Sequence, residues 1–328
     1  MIYCYYYCEG LVNAMQIRES AKAVFCSAAA VLLLLIGYYT GVLFQVSIFL
    51  AVCPAAILFV SCKPKTAVIS GAAVIVLTGL FTMNPIIMAY CFLFVMLPGF
   101  FTGLLLRRNC DALKLFSMLT VFHLLSFYTQ LLVIAAASGQ EVSAFLQQTF
   151  DGSVDMVIDA YRQALGAAFT EVESMIVPML EQMKQILFTY LPAISIIFCG
   201  VFALVCLILC GSFLKKMGYR VNTPVFCRLK YNKITGIVYF ICLLAILFLT
   251  RDGSAKVVFS NAYMILTFAF TIEGLSLLKY FINKMNTGNA LKNLLFAVVV
   301  IVLFPLYQIL SFAGLLDCFL DFGKRGVM

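Results

Sequence analysis

The stretch LPAISIIFCGVFALVCLILCGSFLKKMGYRVNTPVFCRLKYNK, residues 191–233, decides the fold. Leu191–Leu214 carry no charge, and the next nineteen residues hold Lys215, Lys216, Arg220, Arg228, Lys230 and Lys233. A bilayer core about 30 Å thick is crossed by roughly 20 apolar helical residues. Residues 191–214 therefore predict a transmembrane helix, and residues 215–233 a basic loop at its cytoplasmic end.

The same alternation recurs on both sides. Apolar runs at about residues 22–39, 41–62, 66–82, 85–107 and 115–137 precede this helix, and runs at 234–250, 257–280 and 291–313 follow it. The pattern predicts an all-α, polytopic integral membrane protein of about nine transmembrane helices, with eight as the alternative. Residues 1–21 read as a cytoplasmic segment, 22–138 as helices one to five, 139–190 as an extracytoplasmic insert, 191–214 as helix six, 234–313 as helices seven to nine, and 314–328 as a tail.

Composition excludes the other classes. With 64% hydrophobic and 11% charged residues and a mean hydropathy of +1.07, no soluble fold could cover the apolar surface. The net charge of +8 is spread in small clusters at helix ends, whereas nucleic-acid binding needs a basic face. Cys26, Cys53, Cys91, Cys199, Cys206, Cys210 and Cys242 fall inside apolar runs, where thiols read as small hydrophobes. Cys4 and Cys8 lack a second ligand pair, so no metal site is expected. The opening MIYCYYYCEGLVNAM has no basic region before its apolar part, and no removable signal peptide is expected.

Sixteen of the twenty-two Lys and Arg residues fall in one set of alternating segments, and only Arg162, Lys184, Arg251 and Lys256 occupy the opposite loops. The positive-inside rule then places the first segment in the cytoplasm. Lys324 and Arg325 are the exception, because nine crossings would leave them outside.

Within the insert, Val154, Ile158, Tyr161, Leu165, Ala168, Val172, Met175, Met179, Met183 and Ile186 recur at helical spacing, predicting an amphipathic helix. Ser153 reads as its N-cap, and Pro178 should bend or break it. Seven acids face two bases, Arg162 and Lys184, so the insert should be repelled by anionic headgroups. It reads as a lid on the membrane helices or as a partner-binding arm.

Polar groups at membrane depth supply the candidate site. Glu273 lies two turns inside a span, where a carboxylate must be protonated, paired or wetted. Lys279, six residues on, suits a snorkelling anchor better than a partner. Asn261 lies twelve residues before Glu273, on roughly the same face. His123 and Gln130 share a face of helix five, as a relay or as interhelical hydrogen bonds. Asp317 and Asp321 read as a solvated face. Pro98 should kink helix four, Gly99 and Gly103 should admit another backbone, and Pro305 should kink helix nine. Nothing supplies a nucleophile with its base, so no enzyme and no cofactor are expected.

Asn261 in FSNAYMIL, Glu273 in EGLSLLKYF, Pro305, the closing GLLDCFLDFGKR from Gly314 and LPGFFTGLLLRR from Leu97 make the chain resemble the YybS-like family of bacterial membrane proteins, defined by an uncharacterised domain. The resemblance spans about residues 18–325, although members tend to carry Gln at Glu273. The first six helices, ending at Lys216, also look like the S component of energy-coupling-factor vitamin transporters. That likeness implies binding of a small vitamin or metal ion from outside, and contact with a transporter coupling subunit through small residues of the first helix, here Ala23 and Ser27. The leading expectation is small-solute binding or transport without an ATPase of its own. Its rival is a membrane scaffold that recruits another envelope protein through the insert or the basic loop.

Overall fold

The computed structural model describes residues 2–41, 43–166, 169–219, 229–249 and 253–322, without the side chains of residues 2–18, 170, 171 and 304. Among the described residues there are helices and no strands: α1 Ile2–Thr40, α2 Phe44–Ser61, α3 Pro64–Thr82, α4 Pro85–Arg107, α5 Ala112–Ala137, α6 Val142–Leu165, α7 Phe169–Lys216, α8 Lys233–Phe248, α9 Ser254–Lys284, α10 Asn289–Leu303 and α11 Tyr307–Leu320. Backbone groups cannot be left unpaired in lipid, so an all-helical chain is what these apolar runs require.

Among the described residues, seven helices are long and apolar enough to cross a membrane: α1 from Glu19, α2, α3, α4, α5, α7 from Val172, and α9. Six of them precede residue 217. The expected seventh crossing is the shorter α8, of 16 residues, and Thr250 at its expected end lies outside the described residues. The expected ninth is not a kinked helix. At Phe304–Leu306 the chain turns through one 3-10 turn containing Pro305, and α10 and α11 diverge by 114°. The count is thus seven, or eight if that bent pair is one span.

Residues 2–18 are helical and run without a break into the span that starts at Glu19. Two local expectations need correction. The insert helix starts at Val142 instead of near Val154, and Ser153 is not its cap but donates to the Thr149 carbonyl one turn earlier (2.7 Å). The break falls at Gly166, with φ +56, and not at Pro178, which α7 carries in its interior. At 48 residues α7 holds about 72 Å of helix, roughly twice a bilayer core, so insert and membrane span belong to one helix. Lys184 pairs with Asp151 (2.8 Å) and Arg162 with Glu173 (3.7 Å), fastening α6 beside it. Of the stripe, Tyr161, Leu165, Met175, Met179, Met183 and Ile186 are exposed, and Ala168 lies outside the described residues.

The chain forms two compact units. The first holds α1–α4, α5 as far as Ser126 and α7 from Phe198; the second holds α5 from Phe127, α6, α7 as far as Ile197 and α8–α11. In the first, α2 packs against α1 and α4. A Cβ at Gly99 would lie 2.5 Å from the Ala55 Cβ, and one at Gly103 would lie 3.0 Å from the Ala56 carbonyl oxygen, so the two glycines let α4 and α2 touch backbone to backbone. Just before Gly99, the turn Phe92–Met96 widens to a π-helix, which accommodates Pro98 without breaking the span.

Candidate functional site

In the first unit, polar side chains of three helices converge. Gln45, one residue into α2, donates its amide to Ser126 Oγ on α5 (3.2 Å). Tyr90, early in α4, donates to the Ser126 carbonyl and lies 3.1 Å from Ser126 Oγ. One turn before Ser126 lies His123, fully buried, its ring centred 4.2 Å from Phe49, which Phe198 and Phe202 flank in turn. Gln45 and Phe49 are four apart on α2, and His123 and Ser126 three apart on α5, so helical spacing aligns both pairs.

The hydrogen-bond capacity of this cluster is incompletely used. Among the described residues, neither His123 Nδ1 nor Nε2 has a partner, and Gln45 Oε1 also has none. A buried polar group without a partner costs roughly 1–3 kcal/mol, so a donor, an acceptor and an aromatic wall are held ready at a stability cost. Gln45, Phe49 and Tyr90 all lie in the first turns of helices whose other ends carry Lys63, Lys65, Arg107 and Arg108; the cluster is toward the end away from those basic loops. The sequence singled out His123 alone. An amide at the edge of an apolar run, Gln45, was the available signal for the rest. Gln130 is half-buried on the part of α5 that belongs to the second unit, and the structure does not join it to His123.

The second unit arranges Glu273 and Asn261 differently. Both lie on α9, about 18 Å apart along its axis. Asn261 accepts from the Ala193 amide (3.0 Å) and donates to the Thr189 carbonyl (3.0 Å), as well as to Val257 in its own helix (2.9 Å). Residues 189 and 193 are the i, i+4 pair spanning Pro192 on α7, so one side chain occupies both ends of a helical hydrogen bond beside the proline. Asn261 is thereby a clamp between α9 and α7.

Glu273, fully buried, accepts from the Tyr231 amide (3.3 Å), and Ser276 one turn on donates to the Leu229 carbonyl (3.0 Å). Cys318 on α11 faces the Asn232 carbonyl (3.2 Å), while Lys230, 7% exposed, pairs with Asp321 (2.6 Å). Burial, with the Glu273 charge second, pushes the Tyr231 phenol up to about 12. These contacts form a polar seam that draws loop 229–232 down onto α9 and α11. Asp317 was expected to be solvated, yet it is fully buried, because α11 lies against α9 instead of trailing into water. Lys279 turns away from Glu273 to Asn293 (2.8 Å) and the Phe296 ring. Arg220 and Arg228 of the basic loop, Arg251, and Lys324 and Arg325 lie outside the described residues.

A bundle of long apolar helices with buried charged and polar side chains at membrane depth defines a multi-pass membrane protein in a lipid bilayer. The chain belongs to the predicted membrane protein family DUF2232, whose model matches residues 28–318. No curated protein and no solved structure matches it.

Proposed function

We propose that the chain binds a small, uncharged polar solute in the Gln45–Tyr90–His123–Ser126 cluster and takes part in its passage across a bacterial plasma membrane, without an ATPase of its own. The carrying observation is the buried His123 imidazole, which among the described residues has no partner, together with the likewise unpartnered Gln45 Oε1. Together these groups offer a donor and acceptors against aromatic rings, which suits a planar molecule bearing both donors and acceptors. Six apolar spans up to Lys216 agree in number with an S-component-like half. Ala23, however, is 3% exposed and packed in the core, so contact with a coupling subunit would need a surface other than Ala23 and Ser27.

The distribution of bases supports a cytoplasmic first segment, a cluster facing the extracytoplasmic side and an insert on that same side. It also favours eight crossings made by the seven long spans and the shorter α8, with α10 and α11 folded back as a re-entrant pair. In that arrangement Asp321 meets Lys230 of the basic loop on the cytoplasmic side, and Lys324 and Arg325 cease to be exceptions.

Protein purified from native membranes in mild detergent should retain a small molecule near one equivalent, detectable by mass spectrometry of the denatured sample, and His123→Phe or Gln45→Leu should lose it. Equal recovery from wild type and both variants, or from none, would sink this reading. The exposed stripe from Tyr161 to Ile186 favours one alternative, a scaffold docking another envelope protein. Crosslinking from Leu165 that captures a second protein, with no retained solute, would decide for it.

A further inference from the structure

Five cysteines belong to one core cluster of the first unit: Cys26 on α1, Cys53 on α2, Cys62 at the end of α2, and Cys206 and Cys210 on α7. The Sγ atoms of Cys53, Cys206 and Cys210 all lie within 4.8 Å of one another. Cys206 and Cys210 are fully buried and Cys53 is 6% exposed. Helical spacing explains the pair, since residues four apart project from one face; the approach of α2 brings the third. As small hydrophobes these thiols could have been alanine or valine without loss of packing, and their convergence from two helices is not required by the apolar pattern.

We propose that Cys53, Cys206 and Cys210 form a site for one soft monovalent d10 cation, Cu(I). The ligand chemistry selects the ion: all-sulfur donors prefer soft metals, and three donors suit trigonal Cu(I), whereas structural Zn(II) sites take four. Charge balance agrees. Cysteine ligates as the thiolate, so binding releases a proton from each ligating thiol, and the first such loss gives a neutral Cu(I)–thiolate unit, the form that costs least to bury among Val52, Ala56, Ala203 and Leu207. The copper is neither oxidised nor reduced in the step. Cys62, at the end of α2 beside Lys63, and Cys26 supply further thiols between the trio and the basic end of the unit, along which the ion would pass by ligand exchange. This site is independent of the His123 cluster.

The test uses the full chain in lipid nanodiscs, reduced and anaerobic, titrated with Cu(I) against a chromophoric Cu(I) chelator. One equivalent should bind, with a sulfur-to-copper charge-transfer band and X-ray absorption showing about three sulfur ligands. Loss of groups that merely support a metal ligand costs roughly 10–100-fold in affinity, so Cys206→Ser, Cys210→Ser or Cys53→Ser should cost at least about 100-fold. Cys318→Ser, and the Cys4→Ser/Cys8→Ser pair, should leave binding unchanged. If a serine variant is not monodisperse, protection of three thiols from alkylation by Cu(I) in the wild type is the deciding measurement. No binding above the chelator, nitrogen or oxygen ligands, or affinity lost with Cys4 and Cys8 would overturn the proposal.

Discussion

Gly274 on α9 and Gly314 on α11 face each other so closely that a Cβ on Gly274 would overlap the Leu310 carbonyl oxygen, and one on Gly314 would overlap that of Phe270. Around this crossing Phe270, Leu315 and Cys318 are buried, with Tyr231, Tyr239 and Phe319 packed against them. The contact holds the bent end of the chain onto its longest apolar neighbour in that unit, and the polar seam of Glu273, Ser276 and loop 229–232 lies beside it.

Gly274→Ala or Gly314→Ala should therefore separate α9 from α11. The obstacle is backbone, which cannot move as a side-chain tip would, so the cost should reach or exceed the roughly 1–3 kcal/mol usual for overpacking. Gly152 is the control: it lies within α6 with nothing within 4 Å of its Cβ position, and Gly152→Ala should be neutral or stabilising by about 0.5–1 kcal/mol. Thermal unfolding in detergent compares the three. A cost for Gly152→Ala equal to the others would show that the close approach is unimportant.

The fold class was legible because apolar length and charge placement report directly on the bilayer. Glycines four apart at 99 and 103 lie at a close contact, whereas Gly274 and Gly314 are forty residues apart and meet only in three dimensions. Pro305 was read as a kink, since a proline alone does not say how far a chain turns; the 114° bend depends on α11 finding α9. Gly166 was missed as the insert's break because Pro178 carried the stronger textual signal. Pro178 lies in a helix that tolerates the lost hydrogen bond. In the site, His123 could be named from sequence, but that its nitrogens lack partners depends on Phe49, a distant neighbour in the chain.

A reporter fused after Met328 tests the re-entrant pair. With eight crossings and the Lys230–Asp321 pair on the cytoplasmic side, a fluorescent-protein fusion should shine and an alkaline phosphatase fusion should be inactive. The reverse result would restore nine crossings. Asp321 is half-exposed, so water can replace its carboxylate beside Lys230, and Asp321→Asn should not by itself invert the fusion's side. Lys230 is nearly buried, so the variant should still lower stability measurably.

His123→Phe should stabilise the protein while removing its solute. Exchanging an unsatisfied buried imidazole for a ring that packs on Phe49 relieves a desolvation penalty of roughly 1–3 kcal/mol. A rise in unfolding temperature together with loss of the retained small molecule is the expected signature. A fall in stability would mean that the imidazole has a structural partner, and the solute reading would lose its main support.

Asn261 separates a clamp from a pathway. Asn261→Asp keeps the shape and the acceptor for the Ala193 amide, but it removes the donor to the Thr189 and Val257 carbonyls and turns oxygen toward oxygen. Stability should fall by roughly 1–3 kcal/mol, because a carboxylate or carboxyl oxygen would then face the Thr189 carbonyl where an amide donated to it. Asn261→Ala should cost less, because it loses the same bonds without setting oxygen against oxygen. Retained solute per folded molecule should be unchanged in both variants, since the His123 cluster belongs to the other unit. Loss of solute from well-folded Asn261→Ala would instead return Asn261 to the pathway, and equal stability of the two variants would remove the clamp.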